Sequence, residues 1–303
     1  MKNLYKFCVL LLMVVAAGEA RAQQDPLYGL YMNNPMVINP AYVGSTNNLQ
    51  AFAGYRMQWS GFDGNPTTVS AGGQVALRDN KVGAGVLVVQ DRIGENTNTN
   101  LNGMFSYKLK LKESSLSFGM QAGLINYGID ASKLTIQDPG DPAFGTVNQM
   151  KFNLGAGAML KSERFMVGLS VPRLVNNAVS LGGQEVKLYQ QHLYLYGGYV
   201  FHMSNRIQLK PTVLLKGVKG TPMSADVNMN VLIDQKYVVG VFTRNLNAYG
   251  WLAQINFMER YRLAYALEIP TNKSVGTRFT THEIQIGLRL APFSYHDKGL
   301  SNF

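Results

Sequence analysis

Residues 100–124 read NLNGMFSYKLKLKESSLSFGMQAGL, and their pattern governs the fold expected for the whole chain. The first half alternates polar residues with the apolar or small set Leu101, Gly103, Phe105, Tyr107 and Leu109. The second half repeats the alternation with Leu116, Phe118, Met120, Ala122 and Leu124. A period of two places each set on one face of an extended strand. The stretch therefore predicts a β-hairpin with one apolar and one mostly polar face.

The same alternation recurs from residue 49 to residue 290. Each apolar face is long enough to cross a hydrocarbon layer, which takes about ten tilted residues. Counting these segments predicts about fourteen strands, an even number, as single-chain bacterial barrels have. Pro211 lies inside one of them and cannot donate a ladder hydrogen bond, so we expect a bulge or a late strand start there. The predicted strands cover residues 49–59, 67–77, 82–91, 97–110, 115–128, 150–160, 165–171, 188–202, 207–216, 223–233, 237–244, 248–257, 261–269 and 280–290.

The connections between these segments alternate in length. Tight turns are predicted at residues 78–81, 111–114, 161–164, 203–206, 234–236 and 258–260, whereas 129–149, 172–187 and 270–279 are long. Short turns on one side, long loops on the other and an even strand count place both chain ends on the periplasmic side. The predicted fold class is all-β: a transmembrane antiparallel β-barrel of about fourteen strands with an irregular N-terminal periplasmic arm or plug.

The composition suits a wall that is apolar outside and polar inside. Charged residues make up only 15% of the chain, which also has 31 Gly, 16 Tyr and 14 Phe, whereas about 25% charge is ordinary for soluble domains. The chain is basic, with 28 Lys and Arg against 18 Asp and Glu. These cations are scattered singly instead of clustering on one face between aromatic residues, so we expect no nucleic-acid partner.

The N-terminus has the pattern of an export signal. Lys2 and Lys6 precede an apolar stretch over residues 7–17 that is too short to span a bilayer, and residues 20–22 form a small-x-small cleavage site. The predicted organisation is a signal peptide over 1–22, an N-terminal arm over 23–48, and an outer-membrane β-barrel with a short C-terminal tail over 49–303. Because Cys8 lies in the signal, the mature chain is expected to have no thiol chemistry.

Catalytic and metal-binding patterns are missing from the sequence. The histidines are dispersed, and no G-x-S-x-G, H-E-x-x-H or clustered Ser/His/Asp signature accompanies them. We therefore expect a non-enzymatic protein with no cofactor and no metal. The four histidines are His192, His202, His282 and His296.

A barrel of about fourteen strands encloses a lumen that wall side chains alone do not fill. Either something occupies that lumen or solutes pass through it. A row of inward amides would suit a watery pore, while the N-terminal arm would serve equally well as a plug. An outer-membrane diffusion channel or hydrophobic-solute transporter is therefore the alternative function. The amides in question are Asn98, Asn100, Asn102, Gln121, Asn228 and Asn230.

Residues 24–44, QDPLYGLYMNNPMVINPAYVG, break the strand pattern. Asn34-Pro35 and Asn39-Pro40 hold the residue before each proline extended and favour turns, which predicts a rigid irregular arm. Two roles stay open and are compatible: a plug or brace packed on the periplasmic rim, and a docking surface for a periplasmic partner. Aromatic residues dominate interface hot spots. The candidate partner-binding residues are Tyr28, Tyr31, Met32, Asn34, Pro35, Asn39, Pro40 and Tyr42.

This segment closely resembles the N-terminal signature of the PorP/SprF family, outer-membrane proteins of the type IX secretion system and its gliding machinery. The resemblance continues through residues 55–68, YRMQWSGFDGNPTT, and through residues 83–85, GAG, and 91–94, DRIG. It implies a non-enzymatic role in export or surface assembly of adhesins and other cargo. The implied partners are outer-membrane lipid, periplasmic ring lipoproteins of the secretion machine and a secreted adhesin.

The motif at the first hairpin consists of Arg56, Gln58, Trp59, Gly64 and Pro66. Trp59, with the neighbouring Phe62, is expected in the aromatic girdle at headgroup level instead of a ligand site. Arg56 is expected to face the lumen, where a charge costs less than against lipid, and to pair with an inward carboxylate. The carboxylates considered are Asp226 and Glu268.

Basic residues recur at the tight turns and are expected to line the periplasmic rim. They form either a solvated edge or a surface for an acidic partner. These residues are Arg78, Lys81, Lys112, Lys161, Arg164, Arg206, Lys236 and Arg260.

Overall fold

A computed structural model describes residues 28–290 except 47, 78–79, 131–146, 182–183, 188–189 and 273–274. The predicted signal peptide, the first residues of the predicted arm and the C-terminal tail lie outside the described residues. No helix in the described part has the length and apolar character that a membrane crossing requires. The strands are β1 (Leu49–Met57), β2 (Thr67–Leu77), β3 (Val82–Ile93), β4 (Asn96–Lys110), β5 (Ser114–Ile129), β6 (Val147–Ser162), β7 (Phe165–Val171), β8 (Ala178–Leu181), β9 (Gln184–Lys187), β10 (His192–Tyr199), β11 (Phe201–His202), β12 (Ile207–Val218), β13 (Ser224–Ile233), β14 (Tyr237–Arg244), β15 (Ala248–Phe257), β16 (Tyr261–Pro270) and β17 (Thr281–Leu290).

The sheet closes into an antiparallel barrel. Strands that are neighbours in sequence pair with each other, and β1 pairs with β17, with Leu49 opposite Leu290. The short β11 continues β10 beyond Val200 and pairs with the same partner, β12, so the two count as one wall strand. The hairpin of β8 and β9 is separate from the wall. Within the described residues the wall therefore has fourteen strands, and the predicted fold class is confirmed.

Most strand bounds agree with the sequence pattern. Residues 67–77, 165–171, 237–244 and 248–257 are the bounds of β2, β7, β14 and β15, as predicted. Strands β5 and β6 run further than predicted, because their pairing continues to Ile129 and Val147 after the alternation has ended. The strand predicted from residue 188 begins only at His192. Backbone pairing, which the side-chain pattern does not report, sets these ends.

Pro211 does not produce the expected bulge or late strand start, and that prediction was wrong. Strand β12 begins before it, and its register with β13 runs unbroken through the pair Pro211 and Met229. The interruption falls on the other side of β12, where β10 ends at Tyr199 and β11 begins at Phe201. Proline has no N–H to donate, so the pairing is interrupted in the strand opposite Pro211 and β12 itself continues unbroken.

The two ends of the barrel differ, as the connection lengths predict. At the short-turn end, β13 joins β14 through Asp234 and Gln235, whose φ angles of 52° and 57° are those of a type I′ hairpin. At the long-loop end lie residues 58–66 and the described residues of the segments 172–191 and 271–280. Leu49 and Leu290, where the wall begins and ends, both lie at the short-turn end.

Side chains alternate between an apolar outward face and a polar inward face. Phe105 and Val241, for example, point outward with 53% and 61% of their surface exposed. The amides expected to point inward do so: five are buried in the lumen and Asn98 is half-buried. The five are Asn100, Asn102, Gln121, Asn228 and Asn230.

Val241 lies on the outward face in the middle of β14. Arginine on the lipid face costs about 2–4 kcal/mol at the bilayer midplane and about 0–1 kcal/mol near its surface. We therefore expect Val241→Arg to lower the free energy of unfolding by about 2–4 kcal/mol, measured by urea titration in lipid vesicles. Tyr237→Arg, on the same face at the short-turn end, is the control and should lose at most about 1 kcal/mol. Equal losses would contradict the assigned lipid face.

Candidate functional site

Residues 28–46 run through the lumen as an irregular segment, which we call the plug. It contains three one-turn 3-10 helices, Tyr31–Asn33, Pro35–Val37 and Pro40–Tyr42. Two of these turns start with a proline, whose missing N–H would have no partner there. The side chain of Asn39 caps the third by accepting a 2.9 Å hydrogen bond from the N–H of Ala41. The Asn-Pro pairs therefore start turns, as the sequence indicates.

Two buried lysines hold the plug at the short-turn end. Lys108 donates its Nζ to the carbonyl of Gly44 at 2.8 Å, and Lys161 donates to the carbonyl of Ser45 at 3.0 Å. Placing Lys161 on the solvated rim was wrong, because its long aliphatic stem carries the ammonium inward to an unpaired carbonyl.

The plug reaches the long-loop end of the barrel. Arg244, the last residue of β14, donates to the carbonyl of Tyr28 at 3.2 Å. Glu283, near the start of β17, accepts hydrogen bonds from the N–H groups of Gly29 and Leu30. The first described residue therefore lies at the opposite end from Leu49. The chain before Tyr28 lies outside the described residues, so a periplasmic N-terminus stays a prediction.

Polar wall side chains also hold the middle of the plug. The Nδ2 of Asn228 donates to the hydroxyl of Tyr31 at 2.7 Å. Arg262 donates to the carbonyl of Asn33 at 3.2 Å and to the side-chain oxygen of Asn34 at 3.0 Å. These bonds come from β13 and β16, on the opposite side of the barrel from Lys108 and Lys161. The plug is therefore bonded across the full width of the lumen.

Two wall glycines let the plug lie directly against strand backbone. A Cβ atom on Gly119 of β5 would collide with the main chain at Ala41. One on Gly83 of β3 would collide with the carbonyl of Val43. Gly44 beside it has a φ of +67°, which favours glycine. Gly83 of the 83–85 sequence motif therefore lies in contact with the main chain of the plug.

The candidate partner-binding residues are all in the plug, and most of their surface is covered by the wall. Tyr31 is 3% exposed and packs edge-on against Tyr196 of β10, with ring centroids 6.2 Å apart. A partner meets these side chains only if the plug leaves the lumen, so partner binding by them stays a prediction. The buried members are Tyr31, Met32, Asn34, Pro35, Asn39, Pro40 and Tyr42, while Tyr28 is half-buried.

Six buried charged side chains meet in the lumen near the long-loop end. Asp226 lies 2.9 Å from the Nζ of Lys216 and 3.5 Å from the Nε of Arg244. The Nη2 of Arg244 lies 3.5 Å from Glu268. An unpaired charge in a protein interior is strongly destabilising. Three bases and three acids balance here. The full set is Arg56, Lys216, Arg244, Asp226, Glu268 and Glu283.

Arg56 faces the lumen and pairs with Glu268 at 3.8 Å, as predicted. Asp226, the other carboxylate considered, pairs with different bases. Sequence reasoning missed the second partner of Arg56, Glu283, at 3.7 Å. The available signal was the alternation of Glu283 with Gln285 on the inward face of β17. Because Glu283 also binds the plug, the first-hairpin motif and the plug share one charge network.

The rest of the first-hairpin motif joins neighbouring loops at the long-loop end. Trp59 packs edge-on against Phe62, and Phe62 against Phe279 of the last loop, with centroids 6.5 and 5.6 Å apart. Gly64, with a φ of +70°, accepts a hydrogen bond from the N–H of Gly94 at 3.1 Å. The N–H of Gln58 donates to the carbonyl of Pro66 at 2.8 Å. The place of Trp59 and Phe62 in an aromatic girdle at headgroup level stays a prediction.

A cavity lies between the plug and the segment that follows β7, and we call it the loop-end cavity. It is partly open and has a volume of about 60 Å³. Its lining combines amides, aliphatic side chains and tyrosines with a few charges. It is bounded by Tyr28, Tyr31, Val37, Ile38, Leu87, Val89, Asn100, Asn102, Gln121, Asn153, Pro172, Arg173, Tyr194, Leu214, Lys216 and Asp226.

Two histidines of the described part, His192 and His282, have structural partners. The ring of His282 lies 2.7 Å from the hydroxyl of Tyr265 and 2.9 Å from that of Thr280. His192 lies 2.9 Å from the carbonyl of Gln190. No group of three or more His, Cys, Asp or Glu side chains in the described part is arranged to hold a metal ion. The absence of catalysis and of a metal stays a prediction.

The family model described as type IX secretion system membrane protein PorP/SprF matches residues 20–288. Three solved barrels share the fold. The Pseudomonas putida toluene transporter TodX is 10% identical with a TM-score of 0.50, over 87% of this chain and 95% of that one. The CymD monoaromatic hydrocarbon channel is 11% identical at 0.51, over 94% and 97%. A Pseudomonas aeruginosa FadL homologue is 11% identical at 0.50, over 89% and 95%. No curated protein matches the chain. At such identities the solved structures show the fold alone.

Gly119→Val is expected to displace the plug, because its side chain would occupy the space of the main chain at Ala41. Overpacking of this kind costs about 1–3 kcal/mol. We expect the purified variant to remain a heat-modifiable barrel but to conduct ions in planar bilayers more strongly than the wild type. Gly103→Val, at an outward glycine of β4 where a Cβ would make only an ordinary 3.8 Å contact with the carbonyl of Ala122, is the control and should conduct like the wild type. Unchanged conductance of Gly119→Val would show that the plug does not close the lumen.

Proposed function

This chain belongs to the PorP/SprF family of type IX secretion system membrane proteins, and on that premise we propose that it is a non-enzymatic component of the secretion machine in the outer membrane. Its short-turn end faces the periplasm and contacts the ring lipoproteins. Its role is to support export or surface assembly of secreted proteins such as adhesins. The observation that carries this proposal is the plug. Because the plug occupies the lumen and is hydrogen-bonded to the wall, the two ends of the barrel are the surfaces left for partner proteins.

A diffusion channel or hydrophobic-solute transporter is the alternative, and the lumen argues against it. A path for apolar solutes needs an apolar lining, whereas this lumen is lined by amides and by paired charges such as Lys216 with Asp226. The plug is bonded at both ends, through Lys161 and through Arg244. High conductance of the wild-type protein in planar bilayers would favour the alternative.

At the short-turn end exposed basic side chains outnumber the exposed glutamates Glu113, Glu163 and Glu259 of the same turns, which favours an acidic partner. Lys81, Lys112, Arg164, Lys236 and Arg260 are exposed in or beside its turns. Complementary charge between partner surfaces speeds association and sets its orientation. We propose that this basic rim contacts the periplasmic ring.

Arg206 lies at the same rim but already has a partner. Its guanidinium donates to both carboxylate oxygens of Asp234, at 2.6 and 2.8 Å, and these bonds hold the pKa of Asp234 below its ordinary value. Arg206 is therefore left out of the charge-reversal test that follows.

Reversing charge on the rim should weaken ring contact. We expect the double variant Lys112→Glu with Arg164→Glu to bring down less ring lipoprotein than the wild type when the barrel is purified from outer membranes. The control is Lys219→Glu with Arg278→Glu, which makes the same charge change at the long-loop end. The rim contact is wrong if both double variants recover as much lipoprotein as the wild type.

Export itself is tested by deleting the gene. The deletion strain is expected to retain type IX cargo in the periplasm and to lose adhesin from its surface, measured by immunoblots of cell fractions. The wild-type gene supplied in trans should restore both. Normal cargo delivery in the deletion strain would overturn the proposed function.

Orientation is tested with single cysteines in a Cys8→Ser background. Lys219→Cys lies at the long-loop end and Lys112→Cys at the short-turn end. On intact cells, a membrane-impermeant maleimide should label only the first, and after outer-membrane permeabilisation it should label both. The reverse pattern would invert the barrel.

The candidate partner-binding residues Tyr28, Tyr31, Met32 and Tyr42 supply a second proposed contact, available when the plug leaves the lumen. If they bind the ring, Gly119→Val should increase the lipoprotein that purifies with the barrel. If Gly119→Val recovers no more lipoprotein than the Gly103→Val control, the plug is not part of the surface that contacts the ring.

A further inference from the structure

Alternate side chains of β4 form a row along the lumen, and the lower part of that row binds main chain. Ser106 donates to the carbonyl of Val43, and Lys108 donates to the next carbonyl, that of Gly44, at 2.8 Å. Alternate residues of a strand are about 6.6–6.8 Å apart, which is also the repeat of an extended peptide. A row on one strand face can therefore meet every second peptide group of an extended chain lying along it.

The upper part of the same row contains buried amide atoms that have no hydrogen-bond partner. Asn100 is 3% exposed and neither its Oδ1 nor its Nδ2 has a hydrogen-bond partner; Asn102 is 6% exposed and its Oδ1 has none. The buried Oδ1 of Asn98 has none either. Leaving a buried polar group unsatisfied costs about 1–3 kcal/mol. Asn100 and Asn102 face the loop-end cavity, so a ligand there would meet both amides.

The next two strands along the wall from β4 bind main chain in the same way. Gln121 of β5 and Asn153 of β6 both donate to the carbonyl of Pro172, at 2.8 and 3.1 Å. Peptide recognition alongside a strand combines main-chain hydrogen bonds with pockets for alternate side chains. The cavity has suitable apolar walls, formed by Leu87, Val89, Tyr194 and Leu214.

From this arrangement we infer that the loop-end cavity binds an extended segment of a partner polypeptide that enters from the long-loop end. Its main chain lies along Asn98, Asn100 and Asn102, and its side chains are small or apolar and uncharged. A linear row at strand spacing matches a peptide better than a sugar ring, whose hydroxyls radiate in several directions. The inference rests on the proposed function, under which the partner is a secreted protein at the cell surface.

The test uses the purified full-length barrel in detergent. The probe is a pool of acetylated, amidated octapeptides containing only Ala, Ser, Thr and Val. A twin pool is N-methylated at alternate residues, which removes main-chain donors and keeps the side chains. We expect the first pool to bind the wild type, and the twin pool to bind at least tenfold more weakly. Maltose is included as a neutral sugar and should not compete.

Paired variants locate the site. Asn100→Leu with Asn102→Leu keeps side-chain volume and removes the amides, so it should weaken binding of the first pool at least tenfold. Asn230→Leu removes an equally buried lumen amide outside the cavity and should bind like the wild type. Heat-modifiability confirms that each variant is folded. If a variant does not fold, the comparison of the two peptide pools on the wild-type protein still tests the inference.

Several results would overturn the inference: no binding of the first pool, equal binding of the two pools, equal binding by the double variant, or competition by maltose. These results are separate from the export assay. If the peptides fail to bind but the deletion strain retains its cargo, the inference fails and the proposed function stands. If the deletion strain exports normally, the proposed function fails whatever the peptides do.

Discussion

Hydrocarbon offers no hydrogen-bonding partner to a peptide group, so a sheet that crosses a membrane must close on itself. Here closure is the pairing of β1 with β17, from Leu49 opposite Leu290 to Met57 opposite His282. A closed wall of fourteen strands is too wide for its own side chains to fill. The plug follows from that geometry, since it occupies the space that closure creates.

The polarity of the lumen and the structure of the plug depend on each other. Apolar side chains are on the outer face, so the inner face carries amides and charges that need partners. The plug supplies them with its main chain, as where Lys108 and Lys161 bind successive carbonyls of Gly44 and Ser45. An apolar helix would leave those ammonium groups unpaired. An irregular segment with exposed carbonyls satisfies them.

A closed lumen divides the work of the molecule between its two ends. The short-turn end has more exposed basic than acidic side chains, and it is the end that the proposed function directs to the periplasmic ring. The long-loop end has a cavity whose floor is the plug and whose wall includes unsatisfied amides. Glu283 joins the wall to the plug at the long-loop end, because it pairs with Arg56 of the wall and accepts hydrogen bonds from the N–H groups of Gly29 and Leu30. The plug therefore both fills the lumen and forms part of the loop-end cavity.

Much of the wall could be read from the amino-acid order, because side-chain alternation is a local property of an extended strand. The bounds of β2, β7, β14 and β15, the inward amides and the inward position of Arg56 followed from it, while Glu268 was one of two carboxylates considered as the partner of Arg56. Other features did not follow from the alternation. They are the inward side chain of Lys161, the pairing of Glu283 with Arg56, the unbroken register at Pro211, the passage of the plug to the long-loop end and the loop-end cavity. Each depends on which distant strands lie side by side once the sheet has closed, and a two-residue period specifies faces but not neighbours across the lumen.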